Sequence, residues 1–131
     1  MRWMLDTNTV SDLLRAQPAV LQRVSERPMA SLCISVITEA ELRYGLAKRP
    51  AAARLHEAVR QLLLRVDALP WTSAVAQVYG DLRSELERAG RPLAALDLQI
   101  AAHALAIGAA LVTRDQAFSQ VPGLAVENWS K

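Results

Sequence analysis

Residues 1–14 read MRWMLDTNTVSDLL, and the fold turns on how the apolar run ending at Leu5 meets Asp6. The stretch RWML (2–5) is short, apolar and uninterrupted, the pattern of a buried strand. The following TNTVSDLLRA has helical spacing and opens with the Asx and Ser/Thr residues that cap helices. A carboxylate at the end of a buried strand is costly without partners. Asp6 therefore either caps the first helix or serves a shared site, and its spacing alone leaves both readings open.

Outward from this stretch, short apolar runs alternate with helical periods. SLCIS (31–35), RVDAL (65–69), AALVT (109–113) and LAVENW (124–129) read as further strands. Between them, helices are expected at a short segment through Val20, Leu21 and Val24, at about 36–46, at 51–64, at 72–89 and at 96–107. The last is apolar almost all round, as in a central helix packed on several sides, and Gly108 is its stop. Alternating strands and helices, with strands too apolar to face water, predict a parallel sheet covered on both faces. Ligand sites in such sheets form beyond the carboxyl ends of the strands, where Asp6 falls.

Composition narrows the chemistry. A chain of 131 residues with 52% hydrophobic content is enough for one compact domain, expected over 1–131. The lone Cys33 supports neither an internal disulfide nor a cysteine-rich metal site and reads as a buried, inert thiol. No stretch reaches membrane-span length and no basic-then-apolar leader begins the chain, so a cytoplasmic location is expected. A net charge of +2 with a pI near 9.1 is a mild bias, not a polybasic signature. The cations are mostly arginines, with Lys48 and Lys131 the only lysines, and arginine suits bidentate phosphate contacts.

Four acids occupy comparable places: Asp6 after the first strand, Glu41 in the helix after the second, Asp97 at the start of the apolar helix, and Asp115 after AALVT. A parallel sheet can bring all four to one edge. Clustered carboxylates repel and raise one another's pKa, which a divalent cation relieves. Oxygen-only ligation selects Mg²⁺, with Mn²⁺ as substitute, over zinc, and such an ion suits phosphodiester hydrolysis. Thr7, Asn8, Thr113 and Arg114 are weaker candidates for substrate contact. Each acid also has a structural reading: Asp6 and Asp97 as helix caps, Glu41 as a solvated helix residue, Asp115 as turn chemistry. Their joint placement after successive strands favours the functional one. His103 reads as a packing histidine with its polar atoms satisfied and His56 as exposed; Trp3, Trp71 and Trp129 are too dispersed in sequence for a base-stacking platform.

MLDTNTVSDLL, ISVITEAELRYG, GRPLAALDLQIAAHALAIGAALVT and VPGLAVENW, in this order, resemble the PIN-domain ribonucleases, specifically the VapC-type toxins of bacterial toxin–antitoxin pairs. The resemblance covers nearly the whole chain. It implies a three-layer α/β/α domain with a central, mostly parallel sheet of about five short strands, and Mg²⁺- or Mn²⁺-dependent endoribonuclease activity. Asp6, Glu41 and Asp97 match the family acids that hold the metal and the attacking water. The loop TRDQAF is shorter than the asparagine-rich loop of the family it resembles, so Asp115 either completes the site, binds a second metal weakly or shapes the pocket. The likeness further implies a transfer-RNA substrate, with ribosomal RNA second, arrested translation, a small VapB-type antitoxin, and a homodimer or larger toxin–antitoxin assembly. Exposed apolar positions around 36–64 are expected to supply the dimer contact and the antitoxin groove.

Three rivals remain at this level. LDTNTV loosely matches the strand-end nucleophile of haloacid-dehalogenase-type phosphatases, but their second Asp is Asn8 here and a phosphate-binding lysine is lacking. A PIN-like module that binds RNA or protein without cutting, and a PIN ribonuclease in RNA processing, are the others.

Overall fold

The computed structural model describes residues 1–131. Three apolar residues form β1 (Trp3–Leu5), and Asp6 at once caps α1 (Thr7–Leu14). Pro18 sets the first turn of α2 (Pro18–Ser25), where a missing amide hydrogen leaves nothing unsatisfied. Then follow β2 (Leu32–Ser35), α3 (Val36–Ala47), α4 (Ala53–Arg65) and β3 (Asp67–Leu69). The chain continues through α5 (Ser73–Arg88), α6 (Ala95–Ile107), β4 (Ala110–Val112) and β5 (Val126–Glu127). Gly108 ends α6 with φ +69°, the left-handed conformation that a side chain disfavours.

The five strands form one sheet in the order β3-β2-β1-β4-β5, and every pairing is parallel. The expected mostly parallel sheet is thus wholly parallel. All five strands are shorter than the runs that predicted them, β1 and β2 by one residue, β3 and β4 by two and β5 by four. RVDAL contributes only its last three residues, because Arg65 and Val66 finish α4. LAVENW contributes only Val126 and Glu127, because β4 offers just Leu111 and Val112 as partners.

Alternation along the strands divides the core in two. Met4, Cys33 and Leu111 face α5 and α6, packing with Leu82, Leu86, Leu98 and Ile100. Leu5, Leu32, Ile34 and Val112 face the opposite side, packing with Val10, Val20, Val59 and Leu62 of α1, α2 and α4. This is the three-layer arrangement. Helix α3 serves both layers, with Ile37 against the first core and Leu42 within the second.

The C-terminus is fastened to β1. Trp3 Nε1 and Trp129 Nε1 donate to the two Glu127 oxygens at 3.0 and 2.9 Å, and the Arg27 guanidinium lies 4.8 and 4.3 Å from the two ring centroids. Trp3 and Trp129, far apart in sequence, are therefore neighbours, with centroids 6.3 Å apart. Trp129 is buried, so the pair is a structural clasp and not a platform for bases.

The chain runs from β1 outward to β2 and β3, then crosses to β4 and β5 on the other side of β1. The reversal lies between β1 and β4, where doubly wound sheets open a crevice beyond their carboxyl ends. Asp6 follows one of these strands and Asp115 the other.

Candidate active site

Asp6 is 4% exposed. Its Oδ1 accepts the Thr9 amide at 2.8 Å, and its backbone amide donates to the Val112 carbonyl at 3.0 Å. Thr9 Oγ1 donates to the same carbonyl at 3.0 Å, so the start of α1 is pinned to the end of β4. The capping and site readings of Asp6 are compatible, since the cap engages Oδ1 and leaves Oδ2 uncommitted.

Asp97 does not cap α6. Ala94 holds the cap position without a side-chain bond, and Asp97 lies in the first turn, half-buried and making no hydrogen bond. Burial pushes its carboxyl above the usual range, and the charges of Asp115 and Asp6 push it the same way. Acids from the ends of β1 and β4 thus act on one acid of α6. Asp115 is exposed, and its Oδ1 caps the turn Gln116–Gln120 by accepting the Ala117 amide at 2.9 Å, so the turn-chemistry reading describes part of its role.

Glu41 comes in from α3. Thr7 Oγ1 donates to Thr38 Oγ1 at 3.3 Å, joining the start of α1 to α3. Glu41 is one helical turn beyond Thr38 on the same face. It is half-buried and lines, with Thr7, Ser11 and Arg15, a cavity of about 340 Å³ whose floor includes Leu42, Leu46 and Val59. A second cavity, of about 320 Å³, is lined by Thr113, Arg114, Asp115, Gln116, Ser119 and Asn128.

Of the weaker candidates, Asn8 is exposed, whereas Thr113 is buried and its hydroxyl accepts the Asp115 amide at 3.0 Å. Arg114 Nε donates to Asp12 Oδ2 at 3.1 Å. Asp12 is the acid that sequence reasoning missed: it is buried, and it also takes Arg15 at 2.6 Å. The three-residue spacing of Asp12 and Arg15 was its one visible signal.

His103 is fully buried, with Nδ1 2.7 Å from Ser35 Oγ, but Nε2 has no partner, so the expected satisfied histidine is only half satisfied. Burial lowers its pKa and holds the ring neutral. His56 is half-buried instead of exposed, with Nε2 2.9 Å from the Arg49 carbonyl.

The acids whose charges act on Asp97 offer carboxylate oxygens, donors suited to Mg²⁺ or Mn²⁺. As the side chains stand, no three Asp, Glu, His or Cys groups close around a common point. Burial first, and then the charges of Asp115 and Asp6, oppose ionisation of Asp97, which a bound cation would relieve. In charge and donor type the residues fit a hard divalent cation.

The PIN domain family model matches residues 3–124. This chain belongs to the PIN-domain family. Within it the chain falls among the VapC ribonucleases: the tRNA(fMet)-specific endonuclease VapC of Shigella flexneri is 34% identical over 131 residues, 99% of each chain. Among solved structures, this PIN domain is similar to a chain of VapBC2 from Rickettsia felis, bound to a DNA fragment from its promoter, with TM-score 0.91, 32% identity and 98% and 99% coverage of the two chains. A chain of DNA-bound VapBC from Salmonella typhimurium gives TM-score 0.91, 34% identity and 98% coverage of both. No helix of this PIN domain is long and apolar enough to cross a membrane.

Proposed function

We propose that this chain is a VapC-type endoribonuclease toxin, dependent on Mg²⁺ or Mn²⁺, that cuts transfer RNA and is neutralised by a VapB-type antitoxin. The observation that carries the reading is the half-buried Asp97 side chain, which makes no hydrogen bond and feels the charges of Asp115 and Asp6 from the ends of β4 and β1. Three acids from separate segments act at the sheet crevice; Asp6 and Asp115 also cap local segments, whereas Asp97 makes no hydrogen bond.

Asp6, Asp97 and Asp115 would hold the ion, with Glu41 completing the set from α3. When bound, it would supply charge neutralisation at the phosphate and a lowered pKa for water. The buried Asp6 is fixed by its cap and by the β4 carbonyl, so one carboxylate is preorganised. The uncommitted Asp97 carboxylate is suited to accept the proton of attacking water. Water oxygen bonds to phosphorus as the bond to the 3′-oxygen breaks, leaving a 5′-phosphate and, once that oxygen is protonated, a 3′-hydroxyl.

The relatives are named as VapC ribonucleases, two of them as tRNA(fMet)-specific endonucleases, and the similar structures are VapBC complexes. The 340 Å³ cavity, apolar below and carrying Arg15, Lys48 and Arg49 at its sides, suits an antitoxin segment.

One observation favours a second reading, RNA binding without cutting: the side chains do not converge three at a time. The same experiment separates the two. Antitoxin-free protein is incubated with total RNA and purified transfer RNA, with Mg²⁺ or Mn²⁺ or with EDTA, beside Asp6→Asn and Asp97→Asn. Discrete metal-dependent cuts, absent with both folded variants, support the toxin reading. RNA binding with no cleavage by metal-loaded wild type supports the other.

A further inference from the structure

Asp12 takes no part in the acid set, yet it is the buried carboxylate with the most cationic company. Arg15 Nη2 lies 2.6 Å from its Oδ1 and Arg114 Nε 3.1 Å from its Oδ2. The Asp12 side chain is 9% exposed, while those of Arg15 and Arg114 are 66% and 46% exposed. One arginine would neutralise the carboxylate; the second leaves the trio at net +1. Neither guanidinium makes another hydrogen bond to the protein, so each keeps donors facing outward.

The two arginines also line separate cavities that the Asp12 carboxylate links. Arg15 lines the cavity that holds Glu41 and Thr7, Arg114 lines the one that holds Asp115, and one carboxylate fixes both. Arginine's planar fork suits phosphate, and a guanidinium already oriented loses less freedom on binding.

We infer that Asp12 preorganises Arg15 and Arg114 as a paired anchor for the RNA backbone, gripping phosphates that lead into the acid centre. The inference rests on the ribonuclease reading and extends it to substrate positioning. Arg15 and Arg114 touch the substrate; Asp12 is a positioning residue acting through them. The cationic anchor offsets the repulsion that the acids alone exert on a polyanion.

The test is binding of a short fluorescent single-stranded RNA to the Asp97→Asn protein across a salt series, read by anisotropy. Adding Arg15→Ala or Arg114→Ala weakens binding and shallows the slope of log K against log salt by about 0.7 each. Asp12→Asn, with both cations retained, weakens binding with little change of slope. Arg60→Ala, whose arginine pairs with Glu57 on the exposed face of α4, leaves affinity and slope unchanged. Unchanged slopes for folded Arg15→Ala and Arg114→Ala overturn the inference, as does a purely thermal effect of Asp12→Asn. If wild-type protein still cuts RNA in those circumstances, the ribonuclease reading stands without the anchor. Loss of antitoxin affinity in the arginine variants with RNA binding intact assigns the pair to the partner and overturns it as well.

Discussion

His103 Nδ1 lies 2.7 Å from Ser35 Oγ, and through it α6, which carries Asp97, is joined to the cap of α3, which carries Glu41. Ser35 Oγ also accepts the Ile37 amide at 3.0 Å, so one buried hydroxyl serves both helices. Ser35→Ala removes the cap and leaves a second His103 nitrogen unpartnered. It is expected to lower stability by about 1–3 kcal/mol, seen as an earlier urea midpoint; an unchanged midpoint contradicts the coupling.

Asp97 is held at a position where burial and two like charges oppose its ionised form. Asp97→Asn should therefore melt higher than wild type in EDTA at neutral pH, while its expected ribonuclease activity is nil. Mn²⁺ should raise the wild-type melting temperature more than that of the variant. Equal responses to Mn²⁺ would remove Asp97 from the ion site.

Glu127 gives an acid-sensitive clasp. Burial raises its pKa, but the bonds from Trp129 and Trp3 and the charges of Arg27 and Arg23 outweigh this and leave it lowered. A lowered carboxyl stabilises the fold above its unfolded-state pKa, and the contribution is lost as pH falls through the folded value. Wild type should exceed Glu127→Gln by its full margin near neutrality, and the two should converge below the ordinary carboxylate range. A margin independent of pH in chemical denaturation would rule out the charge of Glu127 as its source.

Cys33 is fully buried, and burial pushes its thiol up to about 11. At pH 8 the folded protein should resist thiol reagents, and labelling should follow unfolding by denaturant. Rapid labelling of folded protein would show that β2 opens locally.

Ala16, between α1 and α2, has φ +59°, a conformation that a side chain disfavours. It is exposed, so glycine there removes strain without opening a cavity. Ala16→Gly should stabilise the chain by up to about 1 kcal/mol. A lower denaturation midpoint would mean that the added unfolded-state freedom outweighs the relief.

What the sequence determined by itself is what local pattern encodes. Strand and helix order follows from runs and periods; the parallel sheet follows from strands apolar on both faces. Asp6 and Asp115 stood out after strands, Glu41 in the helix after a strand and Asp97 at the start of the apolar helix, and the ordered blocks carried the family resemblance. Tertiary structure alone decided which distant groups meet. The start of β3 was set by where α4 ends, and the extent of β5 by its pairing with β4. Asp12 pairs with Arg114 across 102 positions, His103 meets Ser35 across 68, and Trp3 shares Glu127 with Trp129 across 124. Such pairings leave no period in the chain, since a carboxylate on a helix has the same local pattern whether it faces water or two arginines. Burial, and the partner it demands, exist only once the layers close.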